Sequence, residues 1–153
     1  MYNDTDNFLV YGGIKFREGL SKHASGNLMA YANGPDPREV PFATQVKGTS
    51  NTFDGNTIIS GTGQCYGACA MYNVSEALPH VAMDRNIFYT PDRSFDNGGC
   101  GTGAARMGFS QWQQAGLGQD QHSEVRDLSA LKYSEVLQAG RQLLGMAPAG
   151  QVA

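Results

Sequence analysis

Arg85-Asn86-Ile87-Phe88-Tyr89-Thr90 sets an asparagine directly before a short run of apolar and β-branched residues. The same arrangement recurs without gaps in Asp6-Asn7-Phe8-Leu9-Val10-Tyr11, Gly26-Asn27-Leu28-Met29-Ala30-Tyr31 and Gly55-Asn56-Thr57-Ile58-Ile59-Ser60. The asparagines fall at 7, 27, 56 and 86, so the steps are 20, 29 and 30 residues. A turn residue followed by a strand at such steps predicts stacked coils, each contributing the same turn and strand to neighbouring positions. Asparagine suits the turn because it tolerates left-handed backbone and bonds locally. At the ~4.8 Å spacing of neighbouring strands, successive asparagine side chains can also bond to one another as an amide ladder.

Further strands fit between these units. Gly13-Ile14-Lys15-Phe16-Arg17-Glu18-Gly19 alternates apolar and polar residues, which points Ile14 and Phe16 inward and Lys15 and Arg17 outward. Residues 42–47 and 68–72 are weaker strand candidates. Asn33-Gly34-Pro35-Asp36-Pro37-Arg38 is turn chemistry and reads as an insertion at one corner, of the kind that shapes a binding site. Phe8, Val10, Ile14, Phe16, Leu28, Ile58, Ile87 and Phe88 are the expected interior columns. Near the end, Ser110 opens a short helical turn in which Trp112 covers the last coil. From Ser134 to Gly145 the apolar spacing becomes helical, with Val136, Leu137, Gly140, Leu143 and Leu144 on one face.

Composition limits the function classes. Twenty glycines and only 16% charged residues describe a turn-rich β protein of single-domain size. A net charge of −3 and a pI near 5.5 argue against nucleic acid as a partner. No run approaches the ~20 apolar residues of a membrane span, and the first residues lack the features of a secretory signal. Three cysteines, Cys65, Cys69 and Cys100, allow one internal disulfide and leave a thiol over; they read either as three buried thiols or as a bridge from the Cys65/Cys69 pair to Cys100. No metal site is expected, because no fourth soft ligand accompanies Cys65 and Cys69 and the three histidines do not fall at metal spacing. No cofactor is expected either, since no phosphate-cradling loop or nucleophile elbow is present. Asn3-Asp4-Thr5 and Asn73-Val74-Ser75 are glycosylation acceptors in a secreted protein.

The stretch from about Asn7 to Asp127 resembles the last coils of right-handed parallel β-helix repeat proteins, the pectate-lyase-like superfold. The likeness is carried by Asp84-Arg85-Asn86-Ile87-Phe88-Tyr89, Phe109-Ser110-Gln111-Trp112-Gln113 and Gly118-Gln119-Asp120-Gln121-His122-Ser123. It implies an all-β solenoid of about four coils over 1–127, with 128–153 forming a C-terminal amphipathic helix and tail. His122 with Asp120 resembles a closing-turn pair of that family. Residues 13–19 followed by Gly26-Asn27-Leu28 also resemble a strand of alginate-lyase-type β-helices, which implies a polysaccharide lyase site with Lys15, Arg17 and Glu18 as catalytic candidates. A β-elimination lyase needs a cation against the uronate carboxylate and a base for the adjacent proton, and Lys15 and Arg17 supply positive charge on one outward face.

The expected function is therefore binding or processing of an extended, acidic polysaccharide, with His23, Arg38, Asp84 and Arg85 as candidate substrate-binding residues. By family likeness the protein is expected outside the cell or on its surface. The alternative is a structural or assembly subunit that uses the coils as a rigid scaffold. A solenoid needs capped ends, and only six residues precede Asn7. Earlier coils, or other protein chains, are expected at that edge.

Overall fold

In a computed structural model of the chain, residues 2–10, 14–16, 22–30, 42–44, 51–61, 66–67, 81–95, 108–114, 119–148 and 150 are described. Each asparagine unit folds as strand, left-handed corner, strand. The first strands are β1 (Tyr2–Thr5), β2 (Phe8–Val10), β3 (Ile14–Phe16), β4 (Lys22–Ser25) and β5 (Leu28–Ala30). They are followed by β6 (Phe42–Thr44), β7 (Asn51–Asp54), β8 (Thr57–Ile59), β9 (Tyr66–Gly67), β10 (Val81–Asp84), β11 (Ile87–Thr90) and β12 (Glu124–Asp127). Helices α1 (Phe109–Gln114) and α2 (Tyr133–Leu143) and 3-10 turns at Pro91–Arg93 and Leu128–Ala130 complete the described elements.

All pairing among the described strands is parallel. A four-stranded sheet has the order β1-β4-β7-β10, a five-stranded sheet β12-β11-β8-β5-β2, and a short sheet β3-β6-β9. The corner residues Asp6, Gly26, Gly55 and Arg85 have φ of 54°, 66°, 63° and 55°. At Gly26 a β-carbon would crowd the Asp6 carboxylate, which would have to swing aside, and glycine adopts the left-handed corner without strain. After each corner the asparagines bond in sequence. Asn7, Asn27 and Asn56 each donate from backbone N and Nδ2 to the Oδ1 of the next asparagine, at 2.9–3.2 Å.

The expected all-β solenoid of about four coils is corrected by this arrangement. The described residues form parallel sheets of four and five strands, with a third of three, accompanied by helices, an α/β-like arrangement in which no closed right-handed coil is shown. The repeat encodes a strand, a corner and a second strand, and parallel register follows from it. It does not encode the path by which the chain returns, and much of that path lies outside the described residues.

The expected interior columns are also revised by register. Leu9, Met29, Ile58, Phe88 and Val125 share one face of the five-stranded sheet and pack with Ala24, Phe53, Met83 and Trp112. Phe8, Leu28, Thr57 and Ile87 lie on the opposite face, so the expected columns mixed the two sides. Ile14, Leu28, Ile58 and Phe88 are buried, Phe8 and Ile87 are half-buried, and Val10 is 53% exposed. The Phe16 side chain lies outside the described residues.

Helix α2 covers that second face, packing Val136, Ala139 and Leu143 with Phe8, Leu28, Ala30 and Ile59. Gly140 meets the Phe8 ring so closely that a β-carbon has no room. The helix starts at Tyr133, one residue before the expected cap Ser134. Glu135 performs the capping, with Oε2 accepting from the Lys132 backbone N–H at 2.9 Å. Gly145 at φ 66° ends it, as its position suggested. Trp112 is buried at the foot of the ladder, the covering role read from the sequence.

Candidate functional site

The four-stranded sheet turns two registered rows away from the core. One is Asn3, His23, Thr52 and Ala82; the other is Thr5, Ser25, Asp54 and Asp84. The residues between them, Ala24, Phe53 and Met83, are buried, which fixes the side on which the rows lie. Asp54 and Asp84 are register neighbours, so two carboxylates project side by side from adjacent strands.

Like charges in that position repel, and each carboxylate has acquired a hydrogen-bonding partner, a guanidinium at Asp54 and an imidazole at Asp84. The Arg85 guanidinium reaches back from its left-handed corner to Asp54. Asp84 is gripped twice by His122, whose backbone N–H donates to Oδ1 at 2.8 Å and whose Nδ1 lies 2.7 Å from Oδ2. Burial alone would push the Asp84 carboxyl up. The bonds from His122 and from the Arg85 backbone, with the His122 charge, outweigh it and hold the group below its ordinary value.

The segment carrying His122 is fixed from below. Asp120 N–H donates to the Met83 carbonyl at 2.7 Å, and Met83 N–H donates to Gln119 Oε1 at 2.9 Å. Asp120 is fully buried and receives the Trp112 indole N–H at 2.7 Å, Asn86 Nδ2 at 2.9 Å and the Ser123 hydroxyl. It thereby ends the asparagine ladder, while Ser123 Oγ accepts the Asn86 backbone N–H at 2.8 Å. Together these parts enclose an open cleft of about 610 Å³ lined by Thr52, Asp54, Asp84, Arg85, Gln121 and His122, with Ala82, Met83 and Gln119.

No protein-family model, curated protein or solved structure matches the chain. The family likeness read from the sequence therefore rests on its residues alone.

Of the residues singled out in the sequence, Asp84 and Arg85 line this cleft. His23 lies beside it in the outward row, its Nδ1 2.7 Å from the Oγ1 of the cleft residue Thr52. Lys15 belongs to β3 in the three-stranded sheet, apart from the sheet that carries the cleft. Arg17, Glu18, Arg38, Cys65, Cys69, Cys100 and Asn73 lie outside the described residues. Asn3 is exposed on β1. Asp54, Thr52, Gln121 and the link from His122 to Asp84 were not singled out. A signal for Asp54 was present, since it precedes Asn56 by the same two residues by which Asp84 precedes Asn86. His122 pairs with Asp84 rather than with Asp120, as the family likeness had implied.

Chemically the cleft offers carboxylate acceptors, guanidinium and amide donors, and an oriented imidazole. A proton on Nδ1 bonded to Asp84 leaves Nε2 as the basic nitrogen of a neutral His122. Among the described residues no group of three His, Cys, Asp or Glu side chains is arranged to hold a metal ion. No described helix is long and apolar enough to cross a membrane.

Proposed function

We propose that the outward face of the four-stranded sheet binds an extended glycan, seated in the cleft at Asp84 and His122. The observation that carries this reading is the cleft itself, an open trough where acceptors and donors alternate at Asp54, Arg85, Asp84, Gln121 and His122. Vicinal hydroxyls each donate and accept, so they match such a row better than an apolar ligand does. Asp54 and Asp84 are already hydrogen-bonded by Arg85 and His122, so neither carboxylate requires a positive charge on the sugar. Lys15, on the three-stranded sheet, lies apart from this cleft and does not set its charge preference, and the protein works where glycans are exposed, outside the cell or at its surface. Whether the bound chain is also cleaved turns on the His122 imidazole, held by Asp84 as a general base would be.

The test is a glycan array followed by titration of the retained glycan and an absorbance assay for unsaturated products. Arg85→Ala and His122→Ala should each weaken binding about tenfold, the worth of a charge-assisted hydrogen bond, in chains that circular dichroism shows to be folded. Absence of any retained glycan, or affinity indifferent to both substitutions, rejects the reading. A second reading, a rigid scaffold in a larger assembly, is favoured by the buried asparagine ladder, which stiffens the stack without contributing to the cleft.

A further inference from the structure

One buried donor of the cleft has no acceptor. Gln119 lines the cleft and is 2% exposed. Its Oε1 accepts the Met83 backbone N–H at 2.9 Å, which fixes the amide, because the opposite orientation would set donor against donor. Nε2 is thereby turned away from that bond, and it has no hydrogen-bond partner among the described residues. Buried polar groups of folded chains are nearly always paired, so a fixed, unpaired donor in a residue that lines a cleft is placed for an acceptor that the ligand brings.

The surroundings narrow the choice of acceptor. The peptide to which Gln119 is bonded joins Ala82 to Met83, the two apolar members of the lining, and Ala82 is exposed in the outward row. A donor and a small apolar surface therefore lie side by side. The charged members of the lining are Asp54 and Asp84 against Arg85 alone when His122 is neutral, so a carboxylate on the ligand is disfavoured and an uncharged oxygen is preferred. A hydroxyl oxygen also accepts, but it carries nothing apolar to Ala82. An acetamido group carries a carbonyl oxygen, a methyl and an N–H in one rigid plane. Its N–H matches the lone pairs that Asp54 and Asp84 retain beside Arg85 and His122.

We propose, resting on the glycan reading of this cleft, that the bound chain is N-acetylated and that Gln119 sets this specificity, with Nε2 donating to the acetamido carbonyl and the methyl seated on Ala82. Gln119 is a binding residue and moves no proton. The reading of the cleft is thus narrowed from hydroxyl-bearing chains in general to chains of N-acetylhexosamine.

The probes are the β-1,4-linked oligomers of N-acetylglucosamine and of glucose, which share a backbone and differ at C2, titrated against the full chain by calorimetry. The N-acetylated oligomer should bind about tenfold more tightly, the worth of one hydrogen bond made by a buried donor. Its addition should shift the Gln119 side-chain amide resonance, and the glucose oligomer should leave that resonance in place. Ala82→Leu fills the methyl seat at an exposed position and should reduce the N-acetylated oligomer to the affinity of the glucose oligomer. Gln119→Met, in chains that circular dichroism shows to be folded, should do the same. Equal affinity for the two oligomers, failure of both to bind, an unmoved Gln119 resonance, or an Ala82→Leu chain that keeps the preference each overturns the proposal. Where a glycan array still retains chains without acetamido groups, the glycan reading survives that failure; an empty array removes both.

Discussion

Replacing Asn56 by Ala tests whether the ladder holds the sheets in register. The Asn56 side chain makes four bonds: Nδ2 donates to Asn86 Oδ1 and to the Ala24 carbonyl, and Oδ1 accepts from Asn27 N–H and Asn27 Nδ2. Alanine leaves the Asn27 backbone N–H without its acceptor and the Ala24 carbonyl without its amide donor. Asn27 is 1% exposed and Ala24 0%, so water does not replace either partner. At about 1–3 kcal/mol for each stranded buried group, the cost is about 2–6 kcal/mol. Asn7→Ala is the internal control. Its side chain makes one bond, in a half-buried position, and the Asn27 Oδ1 still accepts the Asn7 backbone N–H, so about 0.5–1.5 kcal/mol is expected. Urea unfolding followed through the single tryptophan, Trp112, reports both, since Trp112 sits at the closed end of the ladder. Thermal midpoints should fall by about 4–24 °C for Asn56→Ala and about 1–6 °C for Asn7→Ala at this chain length. Equal losses at the two positions, with unchanged urea dependence, would refute the argument that burial along the ladder sets its worth.

Three further outcomes follow from other parts of the structure. Gly140→Ala drives a β-carbon into the Phe8 ring and should cost about 1–3 kcal/mol by lifting α2 from the five-stranded sheet, read as a lower melting point and faster exchange in residues 133–143. Trp112→Phe removes the indole donor of a fully buried carboxylate and should cost about 1.5–3 kcal/mol, measured by circular dichroism during urea unfolding. The Asp84 carboxyl is held below its ordinary value, so the folded chain binds its proton less readily than the unfolded chain. That contribution is complete above about pH 4 and is lost as pH falls through the folded value, so Asp84→Asn should flatten the acid limb of the urea midpoint below pH 4.

The register was legible in the sequence because each unit carries an asparagine directly before its strand, although the left-handed backbone expected at that asparagine falls on the residue before it, Asp6, Gly26, Gly55 or Arg85. The way the chain returns between units was not, since turn-rich stretches such as 31–41 carry no periodicity that distinguishes a closed coil from sheets joined otherwise. The side assignment failed by one residue at Phe8 and Leu28, because α2 makes the second face of that sheet apolar as well. Alternation cannot tell two buried faces apart. Asp84 and Arg85 were visible through their place beside Asn86. The partnership of Asp84 with His122 was not, because those residues lie 38 positions apart and meet only once Ser123 has taken the place of an asparagine.

The steps between asparagines bear on how such a chain can change. Asn7 and Asn27 are 20 residues apart and Asn27 and Asn56 are 29 apart, yet both pairs bond in the same way and both flanking strand pairs keep one-to-one register. The nine extra residues are absorbed without shifting a single pairing. Length variation between units is therefore nearly neutral, whereas one inserted residue inside 51–59 would exchange the inner and outer faces of the rest of that paired segment. A lineage of such chains is free to diversify its connections while the paired segments stay fixed in length, so its members would differ most where they are longest and agree where they are shortest.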